Sequence, residues 1–202
     1  MTKRLIANGA FAAVATLTAL ASLTGTPAQA QTSNFVGFSA AVNGELANST
    51  STATDGSTSG SQRGGVGLQA RYGWALGSDF VLGVGATADI GKRPAGSFAN
   101  GADVYSTQNY SLNVEPGYAI SKDLLVYGKV STLSASVGSD DGSSTTPVQG
   151  VGYGVGVRAM LNQNTYWQAG VDNYRLNDAS LNTGTTASLR GNVVSVGLGY
   201  NF

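Results

Sequence analysis

Apolar and polar residues alternate along most of this chain beyond residue 60. From Gln62 to Gly77, Val66, Leu68, Ala70, Tyr72, Trp74 and Leu76 share one parity, and Gly65, Gly67, Gln69, Arg71 and Gly73 share the other. Phe80 to Ile90 repeats the scheme, with Leu82, Val84, Ala86, Ala88 and Ile90 against Gly83, Gly85, Thr87 and Asp89. So does the run from Tyr110 to Ile120, where Ser111, Asn113, Glu115 and Gly117 form the polar parity. In Gly150 to Leu161, glycine occupies every second position to Gly156 and Arg158 follows on the same face. The last run sets Val194, Val196, Leu198, Tyr200 and Phe202 against Ser195, Gly197, Gly199 and Asn201. A period of two is the signature of a β-strand. Weaker versions over Phe35–Leu46 and Thr165–Tyr174, and Leu124–Val137 with two fairly apolar faces, complete eight predicted strands. Lys129 goes to the polar face of the ambiguous one, because a lysine amid apolar neighbours is costly.

The connections alternate in length. Short turns fall at Gly77-Ser78-Asp79, Ser121-Lys122-Asp123 and Asn162-Gln163-Asn164, and long polar connections at Ala47–Ser61, Lys92–Asp103, Gly138–Pro147 and Asn177–Thr186. A propeller blade needs four strands in ~40–45 residues. Here a unit of similar length holds two long strands, which fits an up-and-down antiparallel meander closed into a barrel. The short turns and both ends of the meander share one end of that barrel.

Three features place the apolar faces outside, toward lipid. The opposite faces are rich in glycine and poor in long charged residues, which suits a narrow lumen that side chains must fill. Trp74, Phe80, Tyr118, Tyr127, Tyr166, Trp167, Tyr200 and Phe202 cluster near the short turns or the C-terminus, as an interfacial aromatic girdle would. Short turns at one end and long loops at the other match outer-membrane barrels. A lipocalin-like soluble barrel, with the faces reversed, is the competing reading.

The first thirty residues differ in kind. Met1-Thr2-Lys3-Arg4 is basic, Leu5 to Leu23 is mostly apolar, and Pro27-Ala28-Gln29-Ala30 offers small residues for cleavage. Residues 1–30 are therefore expected to be a signal peptide and 31–202 the barrel domain. Losing Lys3 and Arg4 would leave nine of the eleven basic residues against eleven acidic ones. Such a balance gives no electrostatic footprint for nucleic acid.

Here the chain resembles the small eight-stranded outer-membrane β-barrels related to the outer membrane protein A transmembrane domain and to OmpX. The most specific part of the resemblance is Val194 to Phe202. It implies that Val196, Leu198, Tyr200 and Phe202 form the C-terminal signal read by the barrel-assembly machinery. It also implies residence in the outer membrane of a Gram-negative bacterium. Because the chain stops at Phe202, no peptidoglycan-binding domain like the one after the barrel of outer membrane protein A is expected. Pro116 inside the fourth strand departs from the pattern, and a bulge near the periplasmic end is expected there.

The lumen-facing charges are Arg71, Asp89, Glu115, Lys129, Arg158 and Asp172. They are expected to act as a structural plug of ion pairs, with a polar gate as the alternative. The chain has no histidine and no cysteine, so histidine-based hydrolysis and thiolate chemistry have no residues to run on. No catalytic residue, cofactor or metal site is expected, and Asp140-Asp141-Gly142 lacks the spaced oxygen ligands of a calcium loop. The expected partners are outer-membrane lipid, the assembly machinery and a possible extracellular surface partner reached through the long loops. The favoured role is structural, with surface display. A narrow porin-like channel is the alternative, and an adhesin or immune-evasion role the weaker one.

Overall fold

A computed structural model describes residues 31–53, 58–91, 93–97, 103–139, 147–180 and 186–202. The expected signal peptide and the Asp140-Asp141-Gly142 turn lie outside the described residues. The strands are β1 (Gly37–Ala53), β2 (Thr58–Ala75), β3 (Phe80–Ile90), β4 (Arg93–Ser97), β5 (Asp103–Ser121), β6 (Leu124–Ser139), β7 (Val148–Met160), β8 (Thr165–Ser180) and β9 (Thr186–Asn201). All pairings are antiparallel, in the order β3-β2-β1-β9-β8-β7-β6-β5, and β3 also pairs β5 to close the ring. The short β4 continues the path of β3 along β5, after a break at Gly91 with φ +102°. The result is a closed eight-strand antiparallel barrel.

The three short turns fall where the sequence places them. Leu76 N donates to Phe80 O at 2.8 Å, Leu161 N to Thr165 O at 2.8 Å, and Asp123 N to Ser121 Oγ at 3.2 Å. The Asn162 side-chain oxygen accepts from the backbone N–H groups of Asn164 and Thr165, a local alternative to the ladder that suits asparagine to turns.

The strands outrun the sequence reading at the other end. Much of what hydropathy marks as long polar loop is strand: β1 and β2 pair as far as Thr52↔Thr58, and β8 and β9 as far as Ser180↔Thr186. A strand of ~9–11 residues crosses a bilayer, whereas β1 has 17 residues and β5 has 19. Where both faces of a strand are polar the alternation vanishes, although threonine still favours the extended backbone.

Two further expectations are corrected. Phe35 does not begin a strand; it ends a 3-10 turn, Ser33–Phe35, and its ring folds into the barrel with 1% exposure. Gly37, with φ +93°, makes the bend from that turn into β1. Pro116 produces no bulge. Register is unchanged across Val114↔Val130 and Gly117↔Tyr127, so the β5–β6 ladder passes Pro116 without a slip. The shifts lie between Thr107 and Tyr110 and between Ala119 and Ser121, the latter near the turn end.

The glycine rows are seats. Tyr127 on β6 is the cross-strand partner of Gly156, Asp172 of Gly154, Leu176 of Gly150, and Tyr166 of Gly199. A Cβ on Gly156 would run into the Tyr127 ring, one on Gly199 into the Tyr166 ring, and one on Gly154 into the Asp172 carboxylate. Each large side chain crossing the bore therefore lies flat over a neighbour that has none. That arrangement lets eight strands close around bulky residues at interior packing density.

Candidate functional site

From the turn end, an apolar layer and a polar layer fill the bore, and a chamber with an apolar wall lies beyond them. The first is apolar: Phe35, Val81, Ala119, Leu125 and Tyr127, with Met160 against them. Asn34 Nδ2 donates to Lys122 O at 2.9 Å, and Asn201 Nδ2 to Asn34 O at 2.6 Å, so the N-terminal turn is tied across the mouth.

The second layer is polar and wholly buried. Glu115 on β5 and Arg158 on β7 are 0% and 1% exposed. Glu115 Oε2 lies 3.0 Å from Arg71 Nε and 3.3 Å from Arg158 Nη2. Its Oε1 accepts from Gln69 Nε2 at 2.8 Å. Arg71 Nη1 donates to Phe35 O at 3.1 Å, which joins this layer to the apolar one. Arg158 donates twice to Gln168 Oε1, at 3.1 and 2.8 Å. Gln168 Nε2 in turn donates to Asn43 Oδ1 and to Gln69 Oε1, at 2.7 and 2.8 Å. The network thus ties β1, β2, β5, β7 and β8 across the bore.

Two guanidiniums share one carboxylate here, which leaves one positive charge without an anionic partner in the cluster. Aromatic faces supply the compensation. The Arg158 guanidinium lies 5.0 Å from the Tyr127 ring centre and 5.1 Å from that of Tyr166, within cation–π range. Sequence reading put both tyrosines in the outer girdle. They point inward instead, at 7% and 1% exposure, because each has the parity of the bore-facing residues on its strand. Trp74, Phe80, Tyr118, Trp167, Tyr200 and Phe202 do face outward. Proximity to a turn is therefore not enough to assign an aromatic to the girdle. The C-terminal residues Val196, Leu198, Tyr200 and Phe202 all face outward, and Phe202 N donates to Phe38 O at 3.0 Å.

Above this layer lies a chamber of about 70 Å³, lined in part by Glu45, Thr87, Asp89, Lys129 and Asp172. Lys129 Nζ donates to Asp172 Oδ2 at 2.6 Å, and both side chains are 20% exposed. The six charges expected in the lumen thus divide: Arg71, Glu115 and Arg158 form one cluster, and Lys129 with Asp172 a second. Asp89 lines the chamber beside them. Among the described residues, no group of three or more carboxylates, histidines or cysteines is arranged to hold a metal ion. An apolar cluster on β1 and β6–β9, with Ala47, Ala135, Val148, Tyr174, Leu176, Leu189 and Val193 packed together, walls one side of the chamber. Ser49 Oγ and Tyr174 Oη share a hydrogen bond of 2.7 Å within it.

Sequence reading missed Glu45, although its parity with Ala41 and Asn43, opposite Val42 and Leu46, places it inside. It also missed the neutral members of the network, Asn43, Gln69 and Gln168. Amides do most of the bridging. The two charged groups should behave differently. Because the Lys129–Asp172 pair is partly exposed, Lys129→Met is expected to cost at most about 1 kcal/mol, read as the shift in urea unfolding midpoint.

Comparisons with known proteins agree with this architecture. Neisserial surface protein A of Neisseria has 16% identity and a TM-score of 0.52, covering 81% of this chain and 97% of that one. The outer membrane protein OprG of Pseudomonas aeruginosa has 13% identity and a TM-score of 0.52, covering 83% and 96%. The attachment invasion locus protein Ail of Yersinia pestis has 16% identity and a TM-score of 0.50, covering 83% and 100%. At these identities the likeness is one of fold alone. A search of curated proteins finds no significant match. The profile of the outer membrane protein beta-barrel domain matches residues 16–202, and the chain belongs to that family.

Proposed function

We propose that this protein is exported, inserted in the outer membrane and serves there as a sealed structural barrel that displays a surface beyond the bilayer. The observation that carries this reading is the filled bore. An apolar layer and a buried ionic layer lie in series at the turn end, and the 3-10 turn is tied across that mouth. A pore would need a continuous wet path, and eight strands leave an interior that side chains fill. The extension of β1, β2, β8 and β9 past the apolar band supports the display role, since it lifts rows of serine, threonine and asparagine above the lipid. Enzymatic chemistry is not part of the reading, because the chain has no histidine and its buried carboxylate is sealed from substrate.

Planar bilayer recordings test the seal. Purified wild-type protein is expected to give no discrete channels, and Arg158→Ala, which opens space beside Glu115, is expected to give small ones. Stable wild-type channels that disappear when Arg158 or Glu115 is replaced would show that these charges line a conducting path instead.

A further inference from the structure

Among the described side chains of the strands, the outward surface of the barrel carries two charges, Arg175 on β8 and Arg190 on β9. They are direct cross-strand partners. Their sequence neighbours Leu176 and Leu189 are buried in the bore, so the two guanidiniums stand side by side on the outside. Neither has an ion pair or hydrogen bond with a described residue. Like charges directly opposite on a sheet are destabilising. The same chain places its other described strand charges inside, close to opposite charges or polar groups, so this pair needs an account.

Its surroundings mark a boundary. One row toward the turn end, Asn173 Nδ2 donates to Asn192 Oδ1 at 2.6 Å, and Asn48 is the next partner of Asn192. Thr50 is the partner of Arg190 on one side, whereas Val151, exposed and apolar, is the partner of Arg175 on the other. From Phe202 to Arg190 the strand climbs about 30 Å along the barrel axis, at ~3.3 Å per residue and a tilt of ~40°. The apolar band of an outer-membrane barrel is ~25 Å tall. The arginines therefore sit just past the hydrocarbon, at the loop end, which is the extracellular end in this architecture.

We propose that Arg175 and Arg190 form a clamp for the phosphate of a lipid headgroup in the outer leaflet. The proposal rests on the outer-membrane reading. A phosphate placed between the two forks accepts paired N–H donors from each, which converts mutual repulsion into shared attraction. Asn173 and Asn192 below and Thr50 beside the pair offer further polar contacts to a sugar or glycerol backbone, while Val151 meets the acyl side.

The test compares wild type with the R175Q/R190Q double variant in maltoside micelles, which contain no phosphate. Phosphorylated lipid A or its dephosphorylated form is then added. Without lipid the variant should be at least as resistant to urea as wild type, because the repulsion is gone. Phosphorylated lipid A should raise the wild-type midpoint, and its affinity for the variant should fall at least roughly tenfold. The dephosphorylated form should shift neither protein. Equal shifts in both proteins, or equal shifts with both lipids, would overturn the clamp alone. Protection of wild type by a soluble sulfated polysaccharide, with indifference to lipid A, would assign the pair to glycan docking and overturn it too. A wild-type chain that shows no heat-modifiable folded form in micelles would overturn the membrane reading and the clamp together.

Discussion

Glu115→Gln is expected to destabilise the barrel by about 3–5 kcal/mol, the loss typical of removing one partner from a buried ion pair. The substitution keeps the shape and one hydrogen-bond acceptor but removes the only carboxylate among the described residues that is paired with Arg71 and Arg158. Two guanidiniums would then face each other in a layer from which water is excluded. The Tyr127 and Tyr166 rings beside Arg158 can offset part of that cost, though cation–π contacts contribute only about 0.5–2 kcal/mol each. Urea unfolding in lipid or detergent, read as a midpoint shift at constant slope, measures the effect. Adding Arg158→Met to Glu115→Gln should cost less than the sum of the two single changes, since the second removes a charge that the first has stranded. A loss below about 1 kcal/mol for Glu115→Gln would mean that the layer is hydrated, and the seal would fail with it.

The second large effect is expected at the glycine row. Gly154→Leu should cost about 1–3 kcal/mol, whereas Val155→Leu, one residue on, should stay within about 0.5 kcal/mol. A Cβ at Gly154 meets the Asp172 carboxylate and comes within 2.6 Å of Val171 O. Backbone cannot yield as a side chain can, and moving Asp172 also breaks its contact with Lys129. Val155 is 66% exposed on the outward face, where an added methylene meets lipid. Midpoints for the two variants, measured side by side, decide the matter. Equal tolerance would show that the faces are assigned wrongly or that the bore is loosely packed.

Much of this architecture was legible because a barrel writes its two faces into alternate residues. The parity of Val151, Tyr153 and Val155 against Gly150, Gly152 and Gly154 is enough to tell outside from inside. Lys129 could be placed by cost alone, even on a strand with apolar residues on both faces. Parity also assigns Tyr127 inward, with Leu125 and Lys129. Distance from a turn carries no such information, since Tyr127 and Tyr166 lie as near a turn as Trp167 and Tyr118 do. What parity cannot supply is depth and partner. Nothing in the sequence says that Arg71 and Arg158 converge on Glu115 from either side, because those contacts depend on shear between strands far apart in the chain. The Ser/Thr-rich strand ends are hidden for another reason: with polar residues at both parities, no hydrophobic contrast marks them.

The seam between β1 and β9 joins the two ends of the barrel sequence. Ser39 pairs with Asn201 and Ala53 with Ala187, so the ring closes only when its first and last strands meet. The entropy of closing so long a loop grows only as the logarithm of its length, and the thermodynamic penalty for this late contact is modest. The kinetic consequence is larger. Until that seam forms, β1 and β9 each present an unpaired edge that can recruit another chain, and contacts this distant in sequence form slowly. Phe35 hangs from β1 yet accepts from Arg71, and its neighbour Asn34 is tied to Lys122 and Asn201, so this plug is complete only once β9 lies beside β1. Edge exposure therefore ends only with this ladder, and the period before it closes is when the chain is most open to mispairing.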